Sequence, residues 1–176
     1  MATVTDLATK RVYEGDAAHA MLERIGIYHE RIDVGGIAPA YPLEKSGQET
    51  VLDRFRSELT RLGENRGYRR HDLIQLHPGT PGLEELLAGF ERLHHHTEDE
   101  VRFIVHGEGV FTVERDGGRY AVLVRAGDVM AVPAGTRHFF TLTDRRTVTA
   151  VRLFADPAGW VPIYEPDLPA ADGASV

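Results

Sequence analysis

Apolar residues recur at helical spacing in three segments of the first half of the chain, and two other segments alternate between apolar and polar residues. Helices present an apolar face about every 3.6 residues and strands every second residue, so these patterns predict helices and strands respectively. The predicted helices span residues 16–25, 49–66 and 83–90, and the predicted strands span residues 27–34 and 72–76. Residues 1–93 are therefore expected to form helices and strands that pack on the rest of the fold.

The pattern changes after residue 93, where short β-prone runs alternate with glycine-containing turns. The predicted strands span residues 100–105, 110–114, 120–125, 129–132, 138–143 and 147–154. Turn signals that recur about every eight to ten residues are typical of a sandwich or barrel. The expected fold class is mostly β, a single domain with its core strands in residues 94–165 and a loose C-terminal tail in residues 166–176.

The composition excludes several kinds of chemistry. The 176 residues contain no cysteine, so any metal must be held by His, Asp or Glu, and disulfides, zinc–thiolate sites and thiol nucleophiles are excluded. The formal charge of −7 disfavours nucleic acid and anionic membranes as partners, because both attract positive surfaces. No apolar run approaches the roughly 18 residues of a membrane span, and the first residues lack the apolar core of a signal peptide, so a cytoplasmic protein is expected.

Three consecutive histidines, His94-His95-His96, are followed by Glu100 at the start of a predicted strand. Alternate side chains of an extended segment share a face, so His94, His96 and Glu100 point the same way and His95 points oppositely. Two imidazoles and a carboxylate form a ligand set suited to Fe(II), Ni(II), Mn(II) or Zn(II). The alternative is a solvated histidine-rich loop, since short motifs have many false positives.

A second segment supports the metal site, because the spacing of both resembles the two halves of the cupin signature. The spacing reads His94-x-His96-x3-Glu100-x6-Gly107 and Gly127-x5-Pro133-x-Gly135-x2-His138. The resemblance implies a single cupin barrel, a double-stranded β-helix of jelly-roll type, with flanking N-terminal helices. It also implies that His138 is the fourth metal ligand, on a strand facing the first three. The signature often closes with Asn, whereas this chain has Leu142, a position that is not a ligand.

Longer stretches are similar to one cupin family, the bacterial acireductone dioxygenases (ARD/ARD'). Residues 90–105, 127–140 and 150–161 carry the likeness, which extends over roughly residues 16–165. The resemblance implies that His94, His96, Glu100 and His138 bind one Fe(2+) or Ni(2+) per chain. It assigns Arg102 and Arg152 as catalytic cations near the substrate, and it places Phe90, Phe140 and Trp160 around the substrate pocket.

The residues themselves bear on those assignments. Arg102 is two residues after Glu100 on the same predicted strand, so its side chain is expected on the same face, inside the barrel. An arginine buried there without an anionic partner would be costly. This favours a substrate role for Arg102 and, by the same reasoning, for Arg152; a salt bridge to an interior carboxylate is the alternative. The three aromatic residues can equally be plain core, as aromatic residues usually are.

The resemblance implies a reaction as well as a site. The family cleaves the enediol 1,2-dihydroxy-3-keto-5-methylthiopentene with O2 in methionine salvage, one route of methionine biosynthesis. With Fe(II) the products are formate and 2-keto-4-methylthiobutanoate; with Ni(II) they are formate, CO and 3-methylthiopropionate. The expected partners are therefore this small enediol and O2, in a monomer or small homo-oligomer.

Other functions stay open at this stage. A paralogous cupin dioxygenase acting on another enediol or β-diketone is favoured by departures from the family pattern at Leu93, His95, Ile104 and His106. A non-catalytic metabolite-binding cupin is the alternative from another class. The arginine-rich stretch at residues 54–70 admits a DNA-binding regulator, which its apolar stripe and interspersed acidic residues disfavour.

Overall fold

The computed structural model describes residues 1–156, 158 and 161–164. Strands outnumber helices among these residues, so the predicted mostly β class is confirmed. None of the helices in the described part of the chain is long and apolar enough to cross a membrane. The elements are β1 (Thr3–Asp6), β2 (Val12–Glu14), α1 (Gly15–Arg24), β3 (Tyr28–Arg31), α2 (Lys45–Arg54), α3 (Arg56–Arg66), β4 (Arg70–Leu76), α4 (Leu83–Phe90), β5 (His94–His95), β6 (Glu100–Arg115), β7 (Gly118–Arg125), β8 (Asp128–Val132), β9 (His138–Leu142), β10 (Val148–Phe154) and β11 (Ile163–Tyr164).

Strand β6 organises the fold because it pairs with four other strands, all antiparallel. Its first half lies between β8 and β10, and its second half lies between β7 and β9. Strands β3 and β4 extend the first group through β8 and β10, while β1, β2, β5 and β11 extend the second through β7 and β9. One long strand thus joins the two halves of the sheet.

The sequence predicted two strands, residues 100–105 and 110–114, where the structure has the single strand β6. Gly107 accounts for the error, because a glycine between two apolar runs suggests a turn. In the structure Gly107 stays in the strand with φ +74, beside a register shift between β6 and β10. A Cβ at this position would lie 2.1 Å from the carbonyl oxygen of Thr147, so only glycine allows the two backbones to approach this closely.

The helices match the predictions except in the middle of the first half. Helix α1 begins and ends one residue before the predicted range, and α4 has the predicted bounds. The single helix predicted for residues 49–66 is instead two helices, α2 and α3, separated at Phe55, which leaves helical geometry with φ −107 and ψ 19. Phe55 is 2% exposed and its ring packs edge-on against Phe103, so the break serves tertiary packing.

Residues before position 94 contribute strands to the sheet as well as helices. Strands β1 and β2 had not been predicted; β1 pairs with β7, and β3 and β4 pair with β8 and β10. The division at residue 93 into a packing segment and core strands stays a prediction. The predicted loose tail, residues 166–176, lies outside the described residues.

Two apolar cores lie on opposite faces of β6 and β10. On one face, Val101 and Phe103 pack with helices α2 and α3 in a cluster that includes Leu59 and Leu62. On the other face, Ile104 packs in the barrel interior with Phe111. Because side chains alternate along a strand, covering one face with helices turns Glu100 and Arg102 towards the interior.

Candidate metal centre

Four side chains converge at one end of the barrel interior. His94, His96, Glu100 and His138 each offer a ligand atom, and these atoms all lie within 4.8 Å of one another. All four residues are buried. Strand pairing brings them together, since His94 on β5 lies opposite His138 on β9, and Glu100 begins β6. These are the four ligands predicted from the sequence.

The hydrogen bonds of two histidines set the orientation of their rings. His94 Nδ1 donates to the carbonyl oxygen of Arg92 at 2.6 Å, and His138 Nδ1 donates to that of Thr136 at 2.7 Å. A carbonyl only accepts, so each Nδ1 carries the hydrogen and Nε2 is the nitrogen left for a metal. Metal-binding histidines in proteins are usually fixed in this way. The donor set therefore fits a divalent transition metal.

Glu100 is the acidic centre of the cluster. Its Oε2 lies 2.6 Å from His138 Nε2 and 3.1 Å from His96 Nε2, and its Oε1 forms an ion pair with Arg102 Nη2 at 2.8 Å. Burial disfavours the carboxylate, but Arg102 and the two histidines outweigh burial and hold the pKa of Glu100 well below its usual range. The carboxylate is therefore ionised and ready to bind a cation.

The same contacts shift two of the histidines in opposite directions. Burial disfavours the His138 imidazolium, yet the hydrogen bond and charge of Glu100 outweigh burial and raise its pKa. Burial lowers the pKa of His94, which keeps that ring neutral. A metal cation would therefore compete with a proton at His138.

A loop contact ties the two ligand segments to each other. The carboxylate of Asp99, next to Glu100, accepts the backbone N–H of Ala134 and the hydroxyl of Tyr68, each at 3.1 Å. Ala134 belongs to the turn before β9, which carries His138. Asp99 therefore fixes the spacing between the start of β6 and the start of β9.

The cluster opens into a cavity of about 290 Å³. His94, His96 and Glu100 form one part of its wall, and the guanidinium-bearing residues Arg102 and Arg152 form another. The rest of the wall is mainly apolar; it includes Ile74, Leu76, Leu86, Phe90, Ile104, Phe111, Phe140, Val148 and Ala150. The site is thus a metal centre with cations on one side and hydrocarbon on the other, at the small end of the range for ligand pockets.

Both arginines have carboxylate partners, as in the salt-bridge alternative that the sequence left open. Arg102 contacts Glu100, as described above, and Arg152 Nε donates to Asp72 Oδ1 at 2.6 Å, with a second contact from Nη2 to Oδ2. Asp72 lies 80 positions before Arg152 in the chain, and only the pairing of β4 with β10 reveals it. The catalytic roles of the two arginines stay predictions.

Two of the three predicted pocket aromatics line the cavity. The rings of Phe90 and Phe140 meet edge to face with their centroids 6.4 Å apart. The Phe111 ring packs between them and the metal cluster, with its centroid 5.0 Å from that of Phe140 and 6.4 Å from that of His138. Trp160 lies outside the described residues. The sequence did not single out Tyr164, which also lines the cavity and packs its ring 5.8 Å from that of His94.

Two of the residues that depart from the family pattern, Ile104 and His95, have different surroundings in the structure. Ile104 lines the cavity, so it shapes the space for a substrate. His95 pairs with Ile163 of β11 and is not one of the four clustered residues. A larger groove of about 710 Å³ between α2, α3 and β4 contains none of the four ligands, so its size does not make it the active site.

Comparison with known proteins shows what this chain resembles. The ARD/ARD' family matches residues 44–162. An acireductone dioxygenase of Exiguobacterium sibiricum is 44% identical over 95% of this chain and 97% of its own length. The acireductone dioxygenase of Bacillus subtilis is 38% identical over 95% of this chain and 98% of its own length. The structure of acireductone dioxygenase from Bacillus anthracis, with a cadmium ion in the active centre, superposes with a TM-score of 0.89 at 38% identity, covering 93% of this chain and 98% of that one. The predicted cupin fold is confirmed by this match.

Proposed function

We propose that this chain, which belongs to the ARD/ARD' family and is a dioxygenase, cleaves an acireductone with O2. The proposed centre is formed by His94, His96, Glu100 and His138. The proposed substrate is 1,2-dihydroxy-3-keto-5-methylthiopentene. One observation carries the proposal: His94, His96 and Glu100 of the four-ligand cluster share the wall of a single small cavity with the cations Arg102 and Arg152.

The ligand set leaves room for substrate. His94, His96, Glu100 and His138 would hold a divalent Fe or Ni ion through three imidazoles and one carboxylate, and the ion would supply Lewis acidity. Arg102 keeps Glu100 ionised and fixes one of its oxygens, which leaves the other to face the histidines. Backbone carbonyls hold the rings of His94 and His138 in place, so the site is organised before substrate enters.

The cations suit an anionic substrate. An enediol that loses a proton is an oxyanion, and Arg102 and Arg152 lie on the wall that such oxygens would face from the metal centre. Arg102 is only 15% exposed, and charges act more strongly where water is excluded. We propose that both arginines contact the enediolate oxygens, and that Phe90 and Phe140 bound the pocket.

The apolar part of the wall suits the other end of the molecule. Ile74, Leu76, Val148 and Ala150 line the cavity and offer hydrocarbon surface without hydrogen-bonding groups in their side chains. A methylthio chain is apolar and flexible, so burying it there removes it from water and places the polar end at the metal centre. This supports the methylthio acireductone over a purely polar enediol.

The product set follows from the metal. We propose Fe(II) or Ni(II) as the native ion, with formate and 2-keto-4-methylthiobutanoate from the iron form and formate, CO and 3-methylthiopropionate from the nickel form. The iron product is the keto acid of methionine, so the proposed pathway is methionine salvage. The donor set supports either ion, since imidazole and carboxylate bind both.

The test is a turnover assay on protein loaded with one metal at a time. Acireductone is mixed with the loaded protein without oxygen, O2 is added, and loss of the enediolate absorbance is followed together with formate, keto acid and CO. Replacing Arg102 by Ala should slow turnover by about a hundredfold or more, as when a preorganised charge is removed. Arg119→Ala, which removes an exposed arginine paired with Glu114, is the matched control and should keep wild-type rates.

Two results would contradict the proposal. Loaded wild-type protein that consumes another enediol or a β-diketone and leaves acireductone untouched would assign the site to a related dioxygenase. Loaded protein that binds acireductone and never consumes O2 would identify a metabolite-binding cupin.

A further inference from the structure

Three charged residues lie side by side on neighbouring strands at the cavity wall. Arg152 on β10 is directly opposite Arg102 on β6 and, on its other side, directly opposite Asp72 on β4. Directly opposed residues of antiparallel strands have Cβ atoms about 4.5–5.5 Å apart, and like charges at that distance repel. Arg102 therefore pushes the Arg152 guanidinium away from the wall that both line.

Arg102 is held against this repulsion by its own surroundings. Its side chain is 15% exposed and its Nη2 contacts Glu100 at 2.8 Å. Arg152 is 32% exposed, so rotamers that carry its guanidinium into solvent are open to it. A long, flexible side chain at a cavity mouth stays in one orientation only where a partner fixes it.

Asp72 has the geometry of such a partner. Its two carboxylate oxygens each accept one N–H of the Arg152 guanidinium, Nε to Oδ1 at 2.6 Å and Nη2 to Oδ2. This two-point contact fixes the plane of the guanidinium as well as its position. Arg152 lines the cavity and Asp72 is not among the lining residues, so Asp72 acts on the cavity through Arg152.

We propose that Asp72 is a positioning residue that holds the Arg152 guanidinium on the cavity wall, and thereby sets the affinity of the site for an anionic enediol. The consequence for substrate rests on the function proposed above. The consequence for Arg152 itself does not, because the side chain is held or released whatever the substrate is.

The first measurement is independent of turnover. In ¹⁵N-labelled protein, the Arg152 Nε–H signal is assigned by its disappearance in Arg152→Lys. It should be visible in wild type and should exchange with water more than about tenfold faster in Asp72→Asn, because that hydrogen bond shields it. Asp53→Asn, which removes the carboxylate from the exposed Asp53–Arg56 pair on helices α2 and α3, is the matched control and should leave the Arg152 signal unchanged.

The second measurement uses acireductone. Asp72→Asn should keep its metal content and raise KM by about ten- to hundredfold, since a misplaced binding group costs that much. Asp72→Glu should recover part of the loss. In the Arg152→Ala background the added Asp72→Asn change should alter kcat/KM by less than about twofold, because the guanidinium that Asp72 holds is already absent.

The outcomes separate the two proposals. An unchanged Arg152 signal in Asp72→Asn overturns the positioning role, whatever the kinetics. A lost signal with unchanged KM shows that Asp72 holds Arg152 but does not tune the site, which overturns the substrate part of the inference. Wild-type protein that never consumes acireductone contradicts the proposed function alone, and the signal of Arg152 still decides the role of Asp72.

Discussion

Replacing Glu100 by Gln should strongly destabilise the metal-free protein as well as remove a metal ligand. Glu100 is 4% exposed and pairs with Arg102, whose side chain is 15% exposed. Gln keeps the size of the side chain and a carbonyl acceptor, so the substitution removes mainly the negative charge. The positive charge of Arg102 then stays buried and loses the Glu100 carboxylate.

The magnitude follows from the burial of the pair. Breaking a buried ion pair by removing one partner costs about 3–5 kcal/mol, whereas an exposed pair contributes about 0–1 kcal/mol. For a protein of this size 1 kcal/mol shifts Tm by about 2–4 °C. Glu100→Gln should therefore lower the Tm of the metal-free protein by about 6–20 °C. Asp72→Asn, at the half-exposed Arg152 pair, should lower it by less than about 4 °C.

The assay is thermal unfolding of both variants and wild type, followed by circular dichroism after removal of metal with a chelator. Both variants take a carboxylate from an arginine on the same wall; the Glu100 pair is the more buried, and Glu100 also contacts His96 and His138. A Tm shift below about 2 °C in Glu100→Gln, or equal shifts in the two variants, would refute the reasoning that the buried charge pair stabilises the empty site.

Three further changes have defined outcomes. His96→Ala should lose most bound Fe or Ni by elemental analysis while His95→Ala keeps it, and the reverse result would contradict the alternation that directs these rings. Apparent metal affinity, measured by chelator competition, should fall by up to about tenfold per pH unit below the raised pKa of His138, because the metal must displace the proton of that ring. An affinity that does not change between mildly acidic and neutral pH would count against histidine ligation. In Gly107→Ala the new Cβ would lie 2.1 Å from the carbonyl oxygen of Thr147, so the free energy of unfolding measured with denaturant should fall by more than about 3 kcal/mol. Gly36 also has a positive φ but faces open space, so Gly36→Ala should cost about 1 kcal/mol. Similar losses in the two variants would show that the backbone near Gly107 relaxes.

The ligand cluster was predictable because it depends on local geometry. His94, His96 and Glu100 lie within seven positions of the chain, and their alternate positions predicted a shared face, although residues 96–99 are not in a strand. Only His138 comes from a distant segment, and the spacing of glycines and proline around it marked that segment as the partner. A short-range pattern plus one recognisable signature therefore identified all four clustered residues.

The partners of the arginines were not predictable in the same way. Side-chain alternation along the strand correctly placed Arg102 in the interior. Its contact with Glu100, however, depends on the rotamers of both side chains. Arg152 meets Asp72 through the register of β4 against β10, which no local pattern specifies. The sequence therefore left a substrate role and a salt bridge to a carboxylate as alternatives, and it did not identify Glu100 and Asp72 as the partners.

The sequence by itself determined helices α1 and α4, most of the barrel strands and the alternation along β6, because each depends on neighbours within a few residues. It also identified the clustered ligands, through local spacing for His94, His96 and Glu100 and through the glycine and proline spacing around His138. Tertiary structure alone decided that Gly107 continues a strand, that Phe55 divides a helix and that Asp72 holds Arg152. Each of these depends on a contact across the fold: the Thr147 carbonyl, the Phe103 ring and the pairing of β4 with β10. Such contacts exist only after distant segments have packed, and their free energy then outweighs the local preference for a turn, a continuous helix or a solvent-exposed charge.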